Sequence, residues 1–263
     1  MTTQPIPDSL SVVTGASSGI GEATARLLAS RGSHVCLLAR SADRLDTIAQ
    51  DIRKRGGKAD AFAVDLADPQ ALAATAKRLV SAHGSPQILI NNAGAGRWLP
   101  MLETSADEAA QMMAVPYLAA FNLTREWLPG MFARHSGHIV NVTSVAARLA
   151  WPGAVAYAAA RAAMEGFTSA LRADLYGSGL SVTLAMFGTV ETSYWEHNRG
   201  SRERLPKQAA GMRTLSSEQV ASAIVTGIQK GARTIVEPAA FKRLFLLNWL
   251  FPKQTEESMC KRS

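Results

Sequence analysis

Long hydrophobic runs are missing from this sequence of 263 residues, and so are the residues that build cross-linked or metal-clustered domains. No stretch is long and apolar enough to span a bilayer, and Met1 to Ser9 lacks the apolar core of a signal peptide. Two cysteines cannot make a disulfide framework. Cys36, inside an apolar run, reads as a buried thiol and Cys260 as part of a loose tail, which fits a reducing cytoplasm. His34, His83, His135, His138 and His197 show no ligand spacing with cysteines or carboxylates, so no metal site is expected. Aromatic residues make up only 6% of the chain and do not interleave with the basic ones. The net charge of +7 therefore describes no base-stacking platform, and no nucleic-acid partner is expected. Gly-x-Ser-x-Gly and a Ser-His-Asp arrangement are absent, as is any internal repeat or domain-scale linker.

What is present is one apolar pattern carried through the chain. A hydrophobic content of 47% supports one substantial core. Apolar runs at Leu10–Val13, His34–Leu38, Ala59–Val64, Ile88–Ile90, His138–Val142, Ser181–Met186 and Thr234–Val236 read as strands. Between them lie helical patterns: Glu22–Ser30, Ala42–Arg55, Pro69–Ala82, Ala106–Phe132, Ala154–Tyr176 and Ser217–Lys230. Such alternation argues for an α/β chain with a parallel sheet and helices on both faces, joined by right-handed crossovers.

The first strand runs into Thr14-Gly15-Ala16-Ser17-Ser18-Gly19-Ile20-Gly21 and then a helix. A strand, a glycine-rich turn and a helix start make a site for a dinucleotide pyrophosphate: the glycines let the backbone approach the phosphates, and the helix N-terminus supplies unpaired N–H groups. No Gly-Lys-Ser/Thr follows, so this is not a P-loop. The second strand ends Leu37-Leu38-Ala39-Arg40-Ser41 without the carboxylate that would hold a ribose 2′-hydroxyl. Arg40, helped by Ser41 or Arg44, can instead pair with a 2′-phosphate, which points to NADP(H).

The spacing Gly15-x-x-x-Gly19-x-Gly21 resembles the short-chain dehydrogenase/reductase family, and three more segments match it in order. Asn91-Asn92-Ala93-Gly94 follows the fourth strand, Ile139-Val140-Asn141-Val142-Thr143-Ser144 ends in the position of the catalytic serine, and Tyr157 stands at the interval of the catalytic tyrosine. The likeness covers Leu10 to Thr192. It implies a single-domain Rossmann-type doubly wound sheet of about seven strands, with Ser144, Tyr157 and Arg161 catalytic. It implies cofactor contacts from Gly15, Ser17, Ser18, Gly19, Ile20, Gly21, Arg40, Ser41, Arg44, Asp65, Leu66, Asn92, Ala93, Gly94, Tyr157, Arg161, Gly188, Val190 and Thr192. Asp65-Leu66 resembles the pair at the adenine, and Asn92, Ala93 and Gly94 the edge along the ribose.

Three positions depart from the family pattern. Tyr157-Ala-Ala-Ala-Arg161 replaces Tyr-x-x-x-Lys, Pro116 stands for the relay asparagine, and Phe187 stands for the proline of Pro-Gly-x-x-x-Thr. Arg161 shares a helix face with Tyr157 and keeps the positive charge, but does not readily lose a proton. Pro116 breaks a helix and frees the carbonyl of Met112, which could anchor a water; alternatively the relay is absent. The resemblance implies an NADP-dependent oxidoreductase acting on a ketone, aldehyde or secondary alcohol, in a homodimer or homotetramer. Trp98, Leu99, Trp151, Phe187, Tyr194 and Trp195 are candidates for a pocket taking a bulky apolar small-molecule substrate, or for packing. The alternative keeps the fold without redox turnover: a lyase, isomerase or cyclase using Tyr157 as acid/base, or a non-catalytic cofactor-binding protein.

Two segments stand outside the motifs. Ser193–Leu215 is polar and weakly periodic; it reads as a lid over the substrate or as a loop. Phe241–Phe251 is mostly apolar and, as a helix, only about 16 Å long. It reads as a subunit contact, a pocket wall or a membrane-surface contact beside Lys242, Arg243 and Lys253.

Overall fold

A computed structural model describes residues 5–94 and 96–260. The strands are β1 (Leu10–Thr14), β2 (His34–Ala39), β3 (Lys58–Ala63), β4 (Ile88–Asn91), β5 (Gly137–Ser144), β6 (Leu180–Phe187), β7 (Val190–Glu191), β8 (Leu215–Ser216) and β9 (Thr234–Glu237). The helices are α1 (Gly19–Ser30), α2 (Ala42–Lys54), α3 (Pro69–His83), α4 (Ala106–Met113), α5 (Ala119–Ala133), α6 (Val155–Asp174), α7 (Tyr194–His197), α8 (Lys207–Ala210), α9 (Ser217–Gln229), α10 (Ala240–Leu250) and α11 (Pro252–Cys260). Seven strands pair in parallel in the order β3-β2-β1-β4-β5-β6-β9, and β7 and β8 form a separate two-stranded pair. The sheet turns outward from β1 in both directions, so a crevice opens at the carboxyl ends of β1 and β4.

Alternation along each strand divides the core. Val13, Val35, Leu37, Ile90 and Val140 face α1, α2 and α9, packing with Leu28, Ile48 and Ile224. Their neighbours Val12, Cys36, Leu38, Leu89 and Ile139 face α3, α5 and α6, packing with Leu72, Leu79, Trp127 and Leu171. A third cluster, with Trp98, Trp151, Tyr157, Met186, Phe241 and Met259, covers the carboxyl edge of the sheet. The helix ends follow from side-chain chemistry. The Asp68 carboxylate accepts from the backbone N–H of Gln70 and Ala71, with Pro69 at the first helical position. Ser105 with Glu108 and Ser216 with Gln219 form capping boxes at α4 and α9.

Four sequence expectations are corrected. Ala106–Phe132 is not one helix: the π-helical turn Ala114–Leu118, with Pro116 buried in it, joins α4 to α5. Proline removes one N–H from the ladder, and a wider turn lets the chain continue without a break. Ser193–Leu215 is not a bare loop, since it carries α7, α8, a 3₁₀ turn at Arg202–Arg204 and the first residue of β8. Cys260 ends α11 and is exposed, so the expected loose tail is helical up to that residue. The apolar C-terminal segment splits: Phe241 is buried against Gly188, whereas Leu246, Leu247, Trp249, Leu250 and Phe251 lie exposed on this chain. Of the N-terminal stretch read for a signal peptide, Met1 to Gln4 lies outside the described residues. No helix among the described residues is long and apolar enough to cross a membrane.

His138 lies fully buried in β5, where its Nε2 meets Thr183 Oγ1 at 2.7 Å. The Thr183 hydroxyl donates to the Ala232 carbonyl, so the imidazole is the donor at Nε2. Burial pushes the His138 pKa down to about 4. A folded-state value below the unfolded one means that stability is full above pH 6.5 and falls as the unfolded chain takes up the proton, down to about pH 4. The loss over that window is roughly 3 kcal/mol for this group. His138→Phe is therefore expected to flatten the acid limb of stability between those pH values, measured by urea unfolding across pH. An unchanged slope would show that other groups set it.

Candidate functional site

The glycine turn after β1 is held by one hydroxyl. Thr14 Oγ1 donates to the Ile90 carbonyl at 3.2 Å and accepts from the backbone N–H groups of Asn92 and Ala93, each at 3.0 Å. Asn92 Nδ2 donates to the Thr14 carbonyl at 3.0 Å, so the ends of β1 and β4 are locked together. Gly15 and Gly19 have φ of +66° and +53°, a region costly for any side chain. A Cβ on Gly21 would overlap the Gly15 carbonyl, so this glycine serves the close approach of α1 to the turn.

From this turn a cleft of about 960 Å³ runs along the carboxyl edge of the sheet. Its lining brings together Gly15, Ser17, Ser18, Gly19, Ile20, Arg40, Ser41, Arg44, Asp65, Leu66, Asn92, Ala93, Gly94, Ser144, Tyr157, Arg161, Gly188, Val190 and Thr192. Gly21 alone of the expected site residues lies behind the wall. At one end Arg40 is exposed, and Arg44 reaches back to the Ser17 carbonyl at 3.4 Å and to Glu22 at 3.6 Å. The Asp65 carboxylate accepts from the N–H of Ala67 at 3.0 Å and shapes the turn after β3.

At the other end stand Ser144, Tyr157 and Arg161. Two polar contacts fix α6 against β5, through Thr143 and Asn141, and a third ties β5 to β4 through Asn91. Thr143 Oγ1 donates to the Arg161 carbonyl at 2.9 Å, Asn91 Nδ2 to Asn141 Oδ1 at 2.8 Å, and Asn141 Nδ2 to Thr168 Oγ1 at 2.9 Å. Ser144 Oγ accepts from the Ala146 N–H at 3.2 Å, which leaves its own proton to donate. Gly153, at φ +69°, turns the chain into α6. The Arg161 guanidinium is buried and its Cζ sits 4.8 Å from the Tyr157 ring centre, a cation–π contact on the ring face. Arg161 Nε is buried without a hydrogen-bond partner. A Cβ on Gly94 would overlap Arg161 Nη2, so Gly94 is the notch that admits the guanidinium.

The wall beside Tyr157 is aromatic. Trp98 packs with Trp151 at 5.6 Å, Tyr157 at 5.6 Å and Trp195 at 5.5 Å, and Tyr194 with Trp195 at 5.3 Å. Phe187 also lines the cleft, whereas Leu99 does not. The Leu99 carbonyl accepts from the Val155 N–H at 3.4 Å. Burial, then the neighbouring Tyr157, pushes the Tyr194 hydroxyl above the usual phenol range, and it donates to the Gly96 carbonyl at 2.7 Å. Gln111, Val115, His197 and Asn198 line the cleft too and carry no motif; only the fold reveals them.

The histidines were read by linear spacing, and the fold brings some of them together. His34, Cys36 and His83 do converge, their ligand atoms all within 4.8 Å of one another. The spacing that brings them together is a strand alternation plus a helix end, which linear motif spacing does not show.

The pattern of the short chain dehydrogenase family matches residues 10–203, and the chain belongs to that family. An uncharacterised oxidoreductase of Mycobacterium bovis is 37% identical over 186 residues, covering 69% of this chain and 54% of that protein. A second protein of the same organism, named probable oxidoreductase EphD, is 33% identical over 236 residues, 85% of this chain and 40% of its own length. The chain thus spans about half the length of the curated relatives it matches. Among solved structures, L-sorbose reductase of Gluconobacter frateurii with NADPH and L-sorbose is 26% identical, with a TM-score of 0.78 over 89% of this chain and 97% of that one. A Burkholderia phymatum family member with NAD, 23% identical, has a TM-score of 0.88 over 99% of both chains and shows the same fold.

Gly94→Ala is expected to displace the guanidinium and to cost roughly 1–3 kcal/mol of stability, the usual scale of overpacking. The same change made in an Arg161→Ala background should cost much less, read by urea melts of the four proteins. Equal costs in both backgrounds would remove the notch.

Proposed function

We propose that this protein is an NADP(H)-dependent oxidoreductase acting on a ketone, aldehyde or secondary alcohol attached to a bulky apolar group. The observation that carries the reading is the convergence, in one cleft, of the glycine cradle and Arg40 at one end with Ser144, Tyr157 and Arg161 at the other. The cradle fits a dinucleotide because Gly15, Ser17, Ser18, Gly19 and Ile20, at the turn and the N-terminus of α1, line the cleft, and because exposed Arg40 and Arg44 supply cations at the rim. When bound, the nicotinamide supplies or takes up the hydride.

The chain's own groups do the rest. Ser144 holds the substrate oxygen with the proton left free by its contact to Ala146. Tyr157 donates a proton to that oxygen in reduction. Tyr194 is already committed as a donor to Gly96 and stays protonated, so the two neighbouring phenols have separate tasks. Arg161 holds a fixed positive charge against Tyr157. It does not pass protons onward. The indoles and Tyr194 select apolar bulk and exclude water. Ser193–Leu215 carries two of those rings, Tyr194 and Trp195, which supports its reading as a lid. The exposed face of α10 is the surface for the homo-oligomer in this reading.

Three outcomes test it. The protein is expected to consume NADPH in step with alcohol formation from an aromatic ketone panel, and to prefer NADPH over NADH. Arg40→Ala should cut that preference by about tenfold or more, the scale of a lost charge-assisted hydrogen bond. Equal affinities before and after would sink the cofactor assignment, and product formed without NADPH oxidation would favour the non-redox reading. Arg161→Lys should retain or raise turnover, since lysine restores a group that can relay a proton. Loss of activity with cofactor binding intact would give the guanidinium a role of its own.

A further inference from the structure

At the opposite edge of the sheet from the cleft, four side chains from three separate segments meet. His34 and Cys36 are two apart on β2 and point to the same face. The register of β2 with β3 sets Cys36 opposite Asp60. That face is covered by α3, whose last residue is His83, where Gly84 at φ +82° ends the helix. His34 Nε2 lies 2.7 Å and His83 Nε2 3.5 Å from the same oxygen, Asp60 Oδ2. The other carboxylate oxygen, Oδ1, is 3.8 Å from Arg53. The two imidazoles meet edge to face with centres 4.8 Å apart. Cys36 is fully buried beneath them, while His34, His83 and Asp60 are partly exposed, which leaves a way in from solvent.

We propose that His34, Cys36, Asp60 and His83 form a structural zinc site that fastens the end of α3 to the edge strands β2 and β3. Two imidazoles, a thiolate and a carboxylate are the donor types zinc takes in closed tetrahedral sites, and they suit neither magnesium nor calcium. Bond lengths of about 2.0–2.3 Å place tetrahedral ligand atoms roughly 3.3–3.7 Å apart. The ligand atoms of His34, Cys36 and His83 lie within 4.8 Å of one another, and Asp60 Oδ2 lies 2.7 Å from His34 Nε2 and 3.5 Å from His83 Nε2, so closing the set on one ion asks for side-chain adjustment at the partly exposed His34, Asp60 and His83. Cys36 binds as the thiolate, its proton passing to solvent, with no change in oxidation state. The cleft lies at the carboxyl ends of the strands, so the metal takes no part in its chemistry. It holds the outermost strand β3, which has a sheet partner on one side only.

The test uses untagged full-length protein stripped with a chelator and titrated with Co²⁺. One Co²⁺ per chain is expected, with tetrahedral visible bands and a thiolate-to-cobalt charge-transfer band. Zn²⁺ should bleach both and raise the melting temperature, and Mg²⁺ should do neither. Cys36→Ala should lose the charge-transfer band. His83→Ala, at a partly exposed helix end, should weaken Co²⁺ binding by more than about tenfold, a loss that even outer-shell changes reach. Wild-type protein without these bands, or bands that persist in folded Cys36→Ala, would overturn the site. Should Cys36→Ala fail to fold, unchanged Co²⁺ affinity in His83→Ala would overturn it equally.

Discussion

The junction between β1 and β4 is the constraint on which the rest of the site depends. These two strands are neighbours in the sheet but far apart in the chain, and their crossover helices leave to opposite faces. Backbone groups at both carboxyl ends are thereby exposed to one another without a helix between them. Thr14 satisfies them with a single hydroxyl, and Asn92 adds an amide bridge. That clamp sets the glycine turn on one side and the Asn92-Ala93-Gly94 edge on the other. Through Gly94 it also sets the space into which Arg161 fits. One threonine therefore ties the geometry of the glycine turn to the position of a charge beside Tyr157.

The inner strands β1, β2, β4, β5 and β6 were legible because they are buried along nearly their whole length and read as short apolar runs, whereas the edge strands β3 and β9 are only partly buried and were read from alternation and position. The glycine turn was legible because φ values above zero demand glycine, and Tyr157 because helix geometry fixes it relative to β5. The misses have physical causes as well. β7 and β8 are two residues each, too short to leave any alternation. Pro116 reads as a helix breaker, yet a wider turn absorbs it. Leu99 read as pocket lining or packing, and it lies outside the cleft lining, which the sequence does not settle. The meeting of His34, Cys36, Asp60 and His83 depends on strand register and on where a helix stops, and neither is written in linear spacing.

Charge and aromaticity are distributed unequally along the cleft. Its glycine-turn end is polar and rimmed by arginines, and its far end is walled by three indoles and two phenols. A buried guanidinium is costly unless something compensates it, and among the described residues Arg161 has no carboxylate within ion-pair distance. The Tyr157 ring face offsets part of that cost. Lysine, with a compact and strongly hydrated charge, would gain less from such a face. The aromatic wall and the arginine thus fit each other physically.

The π-turn at Ala114–Leu118 has a geometrical consequence of its own. A helix behaves as a screw in which each residue advances the azimuth by about 100°. A π-turn holds one residue more than its α counterpart, so it resets the phase between α4 and α5. Because of that reset, α4 and the turn present Gln111 and Val115 to the cleft while α5 turns Leu123 and Trp127 into the core under the sheet. Residue count in this turn is therefore a dial: one residue fewer would rotate the cleft-facing side of α4 by about a quarter turn while leaving α5 seated.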